Sequence, residues 1–182
     1  MNEKQEKILR SLVELLNTGS KLSLFTLYSA GDANALSKGE VDLLFPYGLF
    51  DICKKLWKIH LEEITFIINK ESGITVGVKD AIMNSFTLLT PNKKAVINIT
   101  KFLLLPQNIL FVPKLSWKFA DAVWGSLEGG DSGFSYYTKR LSLATIYSNC
   151  FIYFITSKSH SRLHEVMEKQ LSILFKLTKK CS

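Results

Sequence analysis

The sequence predicts an all-α protein on three observations. Apolar residues recur at helical spacing in one segment after another, the breaks between segments fall at Gly and Pro, and no series of segments alternates in the manner of strands. The run Ile97 to Val112 holds enough aliphatics for a strand, but Pro106, the Pro113 that follows and the helical neighbours argue against one. With 182 residues, 47% hydrophobic, and only 4 Pro and 10 Gly, the chain can bury one well-packed core and is neither disordered nor fibrous.

The elements follow in order. Asn2 with Gln5 forms a capping-box pattern before a stripe of Ile8, Leu9, Leu12, Val13, Leu15 and Leu16, and Gly19 closes that helix. Two short apolar segments, LSLFTLYSAG and KGEVDLLF, are separated by Gly31, Asp32 and Asn34, which is the order of a helix-turn-helix. Pro46 opens a longer helix whose apolar face carries Leu49, Cys53, Leu56, Trp57, His60, Ile64, Ile67 and Ile68. Further helices are expected over Val78 to Leu89, Lys93 to Leu104, and from Pro113 past Ser126, followed by the turn signal LEGGDSG. Leu141 to Thr156 then has no charge over 16 residues, too few for the roughly 20 of a spanning helix, so a helix buried on nearly all sides, at the centre of a bundle or in a subunit interface, is expected. A last helix carries Leu163, Val166, Met167, Leu171, Leu174 and Leu177 on one face, which either packs on the domain or rests on an anionic membrane surface. The domain reading is a helix-turn-helix subdomain over 1–46 and a larger helical domain over 47–182.

Charge is uneven: nine Lys/Arg against ten Asp/Glu in residues 1–72, but fourteen against six in 73–182. The second part therefore suits an anionic partner or simply presents a solvated basic face. Three widely spaced cysteines without CxxC indicate neither disulfide framework nor zinc site, and the start lacks the pattern of a secretory signal; both fit a reducing cytoplasm.

Candidate chemistry is sparse. His160 and His164 lie one turn apart without a third placed ligand, which reads as solvated histidines and no metal site. His60 reads as a core or groove histidine. Asp121 has no paired carboxylate or Ser/His/Asp order around it, and a structural bond to a tyrosine or to Arg140 is expected instead. No phosphate-binding, dinucleotide or nucleophile-elbow motif occurs, so no catalytic residue and no cofactor is assigned. The helix-turn-helix is a poor DNA surface, because residues 20–47 hold only Lys21 and Lys38 against Asp32, Glu40 and Asp42, and no nucleic acid partner is expected.

The residues LLPQNILFVPKLSWKFADAVW and GFSYYTKRLSLATIY resemble the ubiquinone (coenzyme Q) biosynthesis protein nine family. Its Leu-Pro-x-Asn-Ile segment stands here as Leu105, Pro106, Asn108 and Ile109, its helix end as Asp121 and Trp124, and its aromatic-basic run as Phe134 to Arg140 leading to Ile146 and Tyr147. Tyr136 replaces the family's docking Trp, Ala122 its second Asp, and Asp131 stands two residues earlier than the family's carboxylate. The resemblance implies a TetR-like bundle that has lost DNA binding, a homodimer, and a pocket for an isoprenoid quinone lipid presented to the di-iron demethoxyubiquinone hydroxylase. It places pocket and mouth at Phe86, Leu89, Phe102, Phe119, Trp124, Phe134, Tyr137, Tyr147 and Phe151, and partner docking at Tyr136, Lys139 and Arg140. Peripheral contact with the inner face of a membrane is compatible with this reading. The alternative is a TetR-type, ligand-responsive transcription regulator.

Overall fold

A computed structural model describes residues 2–68, 73–127, 134–157 and 162–180, with the backbone alone for Phe134, Ser135 and 173–180. The described residues form α-helices α1 (Glu3–Asn17), α2 (Leu24–Asp32), α3 (Lys38–Leu44), α4 (Leu49–Ile67), α5 (Ile74–Leu89), α6 (Lys93–Leu103), α7 (Val112–Leu127), α8 (Phe134–Thr156) and α9 (Leu163–Lys180), with short 3-10 turns at Thr90–Asn92 and Ile109–Phe111. No strand occurs among them, in keeping with the all-α reading.

Two compact units divide the chain. The first comprises Met1–His60 and Leu89–Ile109; the second comprises Leu61–Leu88 and Leu110–Ser182. The first unit therefore runs past the residue-46 boundary set from sequence, because the apolar face of α1 needs more cover than α2 and α3 supply. Ile8, Leu9, Leu12 and Leu16 of α1 share a core with Leu27, Val41, Phe45, Ile52 of α4 and Ala95 of α6.

Local chemistry fixes these helices in place. Asn2 and Gln5 close the expected capping box, and Gln5 Nε2 also donates to the Leu44 carbonyl at 2.9 Å, satisfying an end of α3. Asn17 does the same for α6, whose N-terminus has no cap of its own. Its Nδ2 donates to Asn92 Oδ1 at 2.7 Å and its Oδ1 accepts from the Ala95 N–H at 3.1 Å. Between α2 and α3, Gly31 lies so close to Val41 that a Cβ there would collide with the Val41 γ-methyl. The helix-turn-helix order is thus present, but α3 has seven residues and exposes Leu43 at 82% beside Asp42, whose carboxylate accepts from Tyr28 Oη at 2.9 Å. The Lys38 ammonium sits 5.7 Å from the Tyr28 ring centre.

In the second unit, α7 and α8 pack against each other, α9 packs on α8, and the close approach of Gly77 to Leu127 brings α5 against α7. Leu163, Met167 and Leu171 of α9 are buried, and Lys79 pairs with Glu168 at 2.8 Å, so this part of the last helix packs on its unit. Of the two settings expected for α8, the centre of a bundle is not what the chain itself provides: Tyr137, Leu141, Thr145, Asn149, Ile152 and Thr156 form an open stripe. Absence of charge did not mean burial, because Thr145 and Thr156 satisfy their hydroxyls on the Leu141 and Ile152 carbonyls at 2.8 and 2.7 Å.

Candidate functional site

The α5, α7 and α8 helices of the second unit bring aromatic side chains to one centre. Tyr147 lies at its middle, stacked on Phe119 with 3.8 Å between ring centres and on Phe86 with 5.4 Å. Phe154 lies 5.3 Å from Phe86, and Phe151 lies 6.3 Å from Tyr147. Tyr147 Oη and Ser85 Oγ share a hydrogen bond of 2.9 Å inside this apolar surrounding. Burial pushes the Tyr147 phenol well above its ordinary range, outweighing the opposite effect of Ser85, so the ring carries a neutral hydroxyl. The cluster is a set of stacked faces around one satisfied polar pair.

Above it, at the start of α8, a second group of residues joins α7. Arg140, only 5% exposed, donates from Nε to Asp121 Oδ1 at 2.6 Å and from Nη1 to the Tyr136 carbonyl at 3.3 Å. Its guanidinium carbon stands 3.5 Å from the Tyr136 ring centre, and Tyr136 Oη donates to the same Asp121 oxygen at 3.1 Å. That bond to Asp121 is the main cause of a raised Tyr136 phenol pKa. Asp121 thus makes both of the bonds expected of it, to a tyrosine and to Arg140. Trp124 Nε1 donates to the Lys139 carbonyl at 3.2 Å while the Lys139 ammonium lies 5.2 Å from the Trp124 ring centre. Sequence spacing makes this arrangement accessible: residues 136, 139 and 140 share one flank of α8, and 121 and 124 one flank of α7.

Of the residues assigned to pocket and mouth, the structure brings Phe86, Phe119, Tyr147 and Phe151 together, places Trp124 under Lys139, and leaves Tyr137 at the surface, 62% exposed. Leu89 and Phe102 fall in the first unit, both half-buried. The side chain of Phe134 and all of His160 lie outside the described residues. Of the docking set, Tyr136 and Lys139 are half-buried and Arg140 faces inward. Ser85 escaped the sequence reading; its one signal is a helical register shared with Ile82 and Phe86.

Little else offers chemistry. Burial pushes the Cys53 thiol up to about 12 and that of Cys150 up to about 11, so neither is a thiolate at neutral pH. Burial lowers His60 to about 4, which keeps it neutral. Among the described residues no three His, Cys, Asp or Glu side chains gather to hold a metal. No helix among them is long and apolar enough to cross a membrane.

The strut of Asp121, Tyr136 and Arg140, with Phe119, Tyr147, Phe151 and Phe154 of the aromatic centre, lies on a stretch similar to a known family. Residues 111–171 match the COQ9 family. The match spans α7, α8 and the first part of α9, and it is the family whose motifs the sequence resembles. It supports involvement in ubiquinone biosynthesis. No curated protein matches the chain.

Proposed function

We propose that the protein is a non-catalytic, lipid-binding accessory protein of ubiquinone biosynthesis, which holds a polyprenyl quinone intermediate in its α7–α8 unit and presents it to the demethoxyubiquinone hydroxylase. The observation that carries this reading is the COQ9 match falling on α7 and α8, which supply Phe119, Tyr147 and Phe151 to the aromatic centre. Flat, apolar ring faces suit a quinone head, and the Tyr147–Ser85 pair supplies the hydroxyls a quinone carbonyl would accept from. A guest enters by parting the Tyr147 and Phe119 rings, whose stacked faces a quinone replaces in kind. The Asp121–Arg140–Tyr136 strut holds the α8 start rigid, with Arg140 as a positioning residue and Tyr136 and Lys139 toward the partner. The open α8 stripe, with Leu141 and Ile152, would be covered in a homodimer. The 1–46 segment serves as a helix-turn-helix remnant without a role on DNA, since α3 offers Leu43 and Asp42 where phosphate contacts would require cations.

The test is mass spectrometry of lipid extracted from the purified protein. An isoprenoid quinone or its precursor is expected with the native chain and at reduced yield with Phe119→Trp, whose larger ring makes the stack on Tyr147 harder to part. Absence of isoprenoid lipid from preparations made in several ubiquinone-producing hosts would overturn the reading.

A further inference from the structure

The quinone reading requires a way in, because the rings of Phe86, Phe119 and Tyr147 are buried and stacked on one another. The helices that carry them interlock. Arg140 ties α8 to α7 through Asp121 at a site only 5% exposed, and Ser148 Oγ donates to Ser116 Oγ at 2.8 Å across the same pair. Gly77 admits Leu127 so closely that a Cβ there would collide with it, which seats α5 on α7. The α9 helix is attached differently. Its buried positions Leu163, Met167 and Leu171 form one i, i+4, i+8 row, narrower than the stripe of three to four apolar residues per two turns that holds a core helix. Its polar ties to neighbouring helices are the Lys79–Glu168 pair, partly exposed on both sides, and a hydrogen bond of 3.1 Å from Asn149 Nδ2 to Gln170 Oε1 at the surface. Water competes for both, so they hold α9 weakly.

Those two ties also show what α9 covers. Lys79 belongs to α5 and Asn149 to α8, so Glu168 and Gln170 reach one wall each and the helix straddles the α5–α8 seam. Phe86 and Ser85 face Tyr147 across that same seam, with Phe154 beside Phe86. We propose that the first half of α9, Leu163 to Leu171, is a strap that lifts from the seam, admits a quinone head to the Tyr147 face and closes behind it, with the Lys79–Glu168 pair setting how often it opens. The inference rests on the quinone reading for its guest and on the packing of α9 for its motion. A strap that opens equally in the empty and the loaded protein changes entry and exit together and leaves affinity where it was.

Two measurements on the full chain test it. Stopped-flow quenching of tryptophan fluorescence by decylubiquinone reads entry and exit, and hydrogen exchange without quinone reads the opening itself. Lys79→Glu, which sets two carboxylates against each other, should raise both rates and the exchange of the 163–171 amides by roughly fivefold to tenfold, with Kd unchanged. Lys79→Glu/Glu168→Lys should return them toward the wild type, and Lys114→Glu, an exposed reversal on α7, should alter neither. Circular dichroism confirms that each variant is folded. Wild-type rates in Lys79→Glu, a changed Kd at unchanged rates, or exchange of the 163–171 amides only together with those of α7 and α8 would overturn the strap and leave the quinone reading in place. Failure of decylubiquinone to quench the wild type would overturn that reading and the path with it.

Discussion

Replacing Asp121 by Ala leaves the Arg140 guanidinium buried and without its counter-charge. Arg140 is 5% exposed, whereas the Asp121 side chain keeps about half its surface in water, so the pair lies between two limits. Removing one partner of a fully buried pair costs about 3–5 kcal/mol, and of an exposed pair at most about 1 kcal/mol. The Tyr136 hydroxyl also loses its acceptor. A loss of about 2–3 kcal/mol is therefore expected for Asp121→Ala. Asp121→Asn, which keeps an oxygen acceptor but not the charge, should lose about 1 kcal/mol. Urea titration followed by circular dichroism measures both, fitted to two transitions if the two units melt separately. The double variant Asp121→Ala/Arg140→Met should recover much of the loss, because an apolar side chain needs no counter-charge. If Asp121→Ala unfolds at the wild-type midpoint, or if the double variant is the sum of the two singles, the strut is not holding α7 to α8.

Two further outcomes follow from the same physics. Tyr147→Phe removes the buried hydrogen bond between Tyr147 and Ser85 and should cost about 0.5–1.5 kcal/mol in the same titration, and an unchanged midpoint would refute it. His60 has a folded pKa lowered to about 4 by burial against an ordinary 6.5, so the unfolded chain binds the proton more readily. Its contribution is fully present above pH 6.5, declines as pH falls and levels off below about 4. That difference amounts to about 3 kcal/mol at most. His60→Phe should remove this part of the acid sensitivity, and equal pH profiles for both proteins would refute it.

Local signals proved legible where the chemistry is local. Asn2 and Gln5 cap α1 because both partners sit within one turn, and Asp121 reached Arg140 and Tyr136 because those two lie one turn apart on α8 and offer a cation and a hydroxyl to one carboxylate. Spacing along α8 failed for a different reason. Threonine and asparagine are uncharged yet content in water, so a charge-free run cannot be equated with a buried one. Nor does an aromatic list reveal how rings divide between units: Phe102 and Phe119 look alike in sequence, but the first belongs with α1 and α6 and the second with Tyr147.

The Asn17 clamp on α6 has a consequence for biosynthesis. Because the segment it grips comes from residues 92–95, well past the 28-residue excursion Leu61–Leu88 that belongs elsewhere, the first unit cannot close while only its opening helices have left the ribosome. A nascent chain stalled at residue 60 would show the α1 stripe to chaperones, and protease resistance of that region should arise only after Ile109 has emerged.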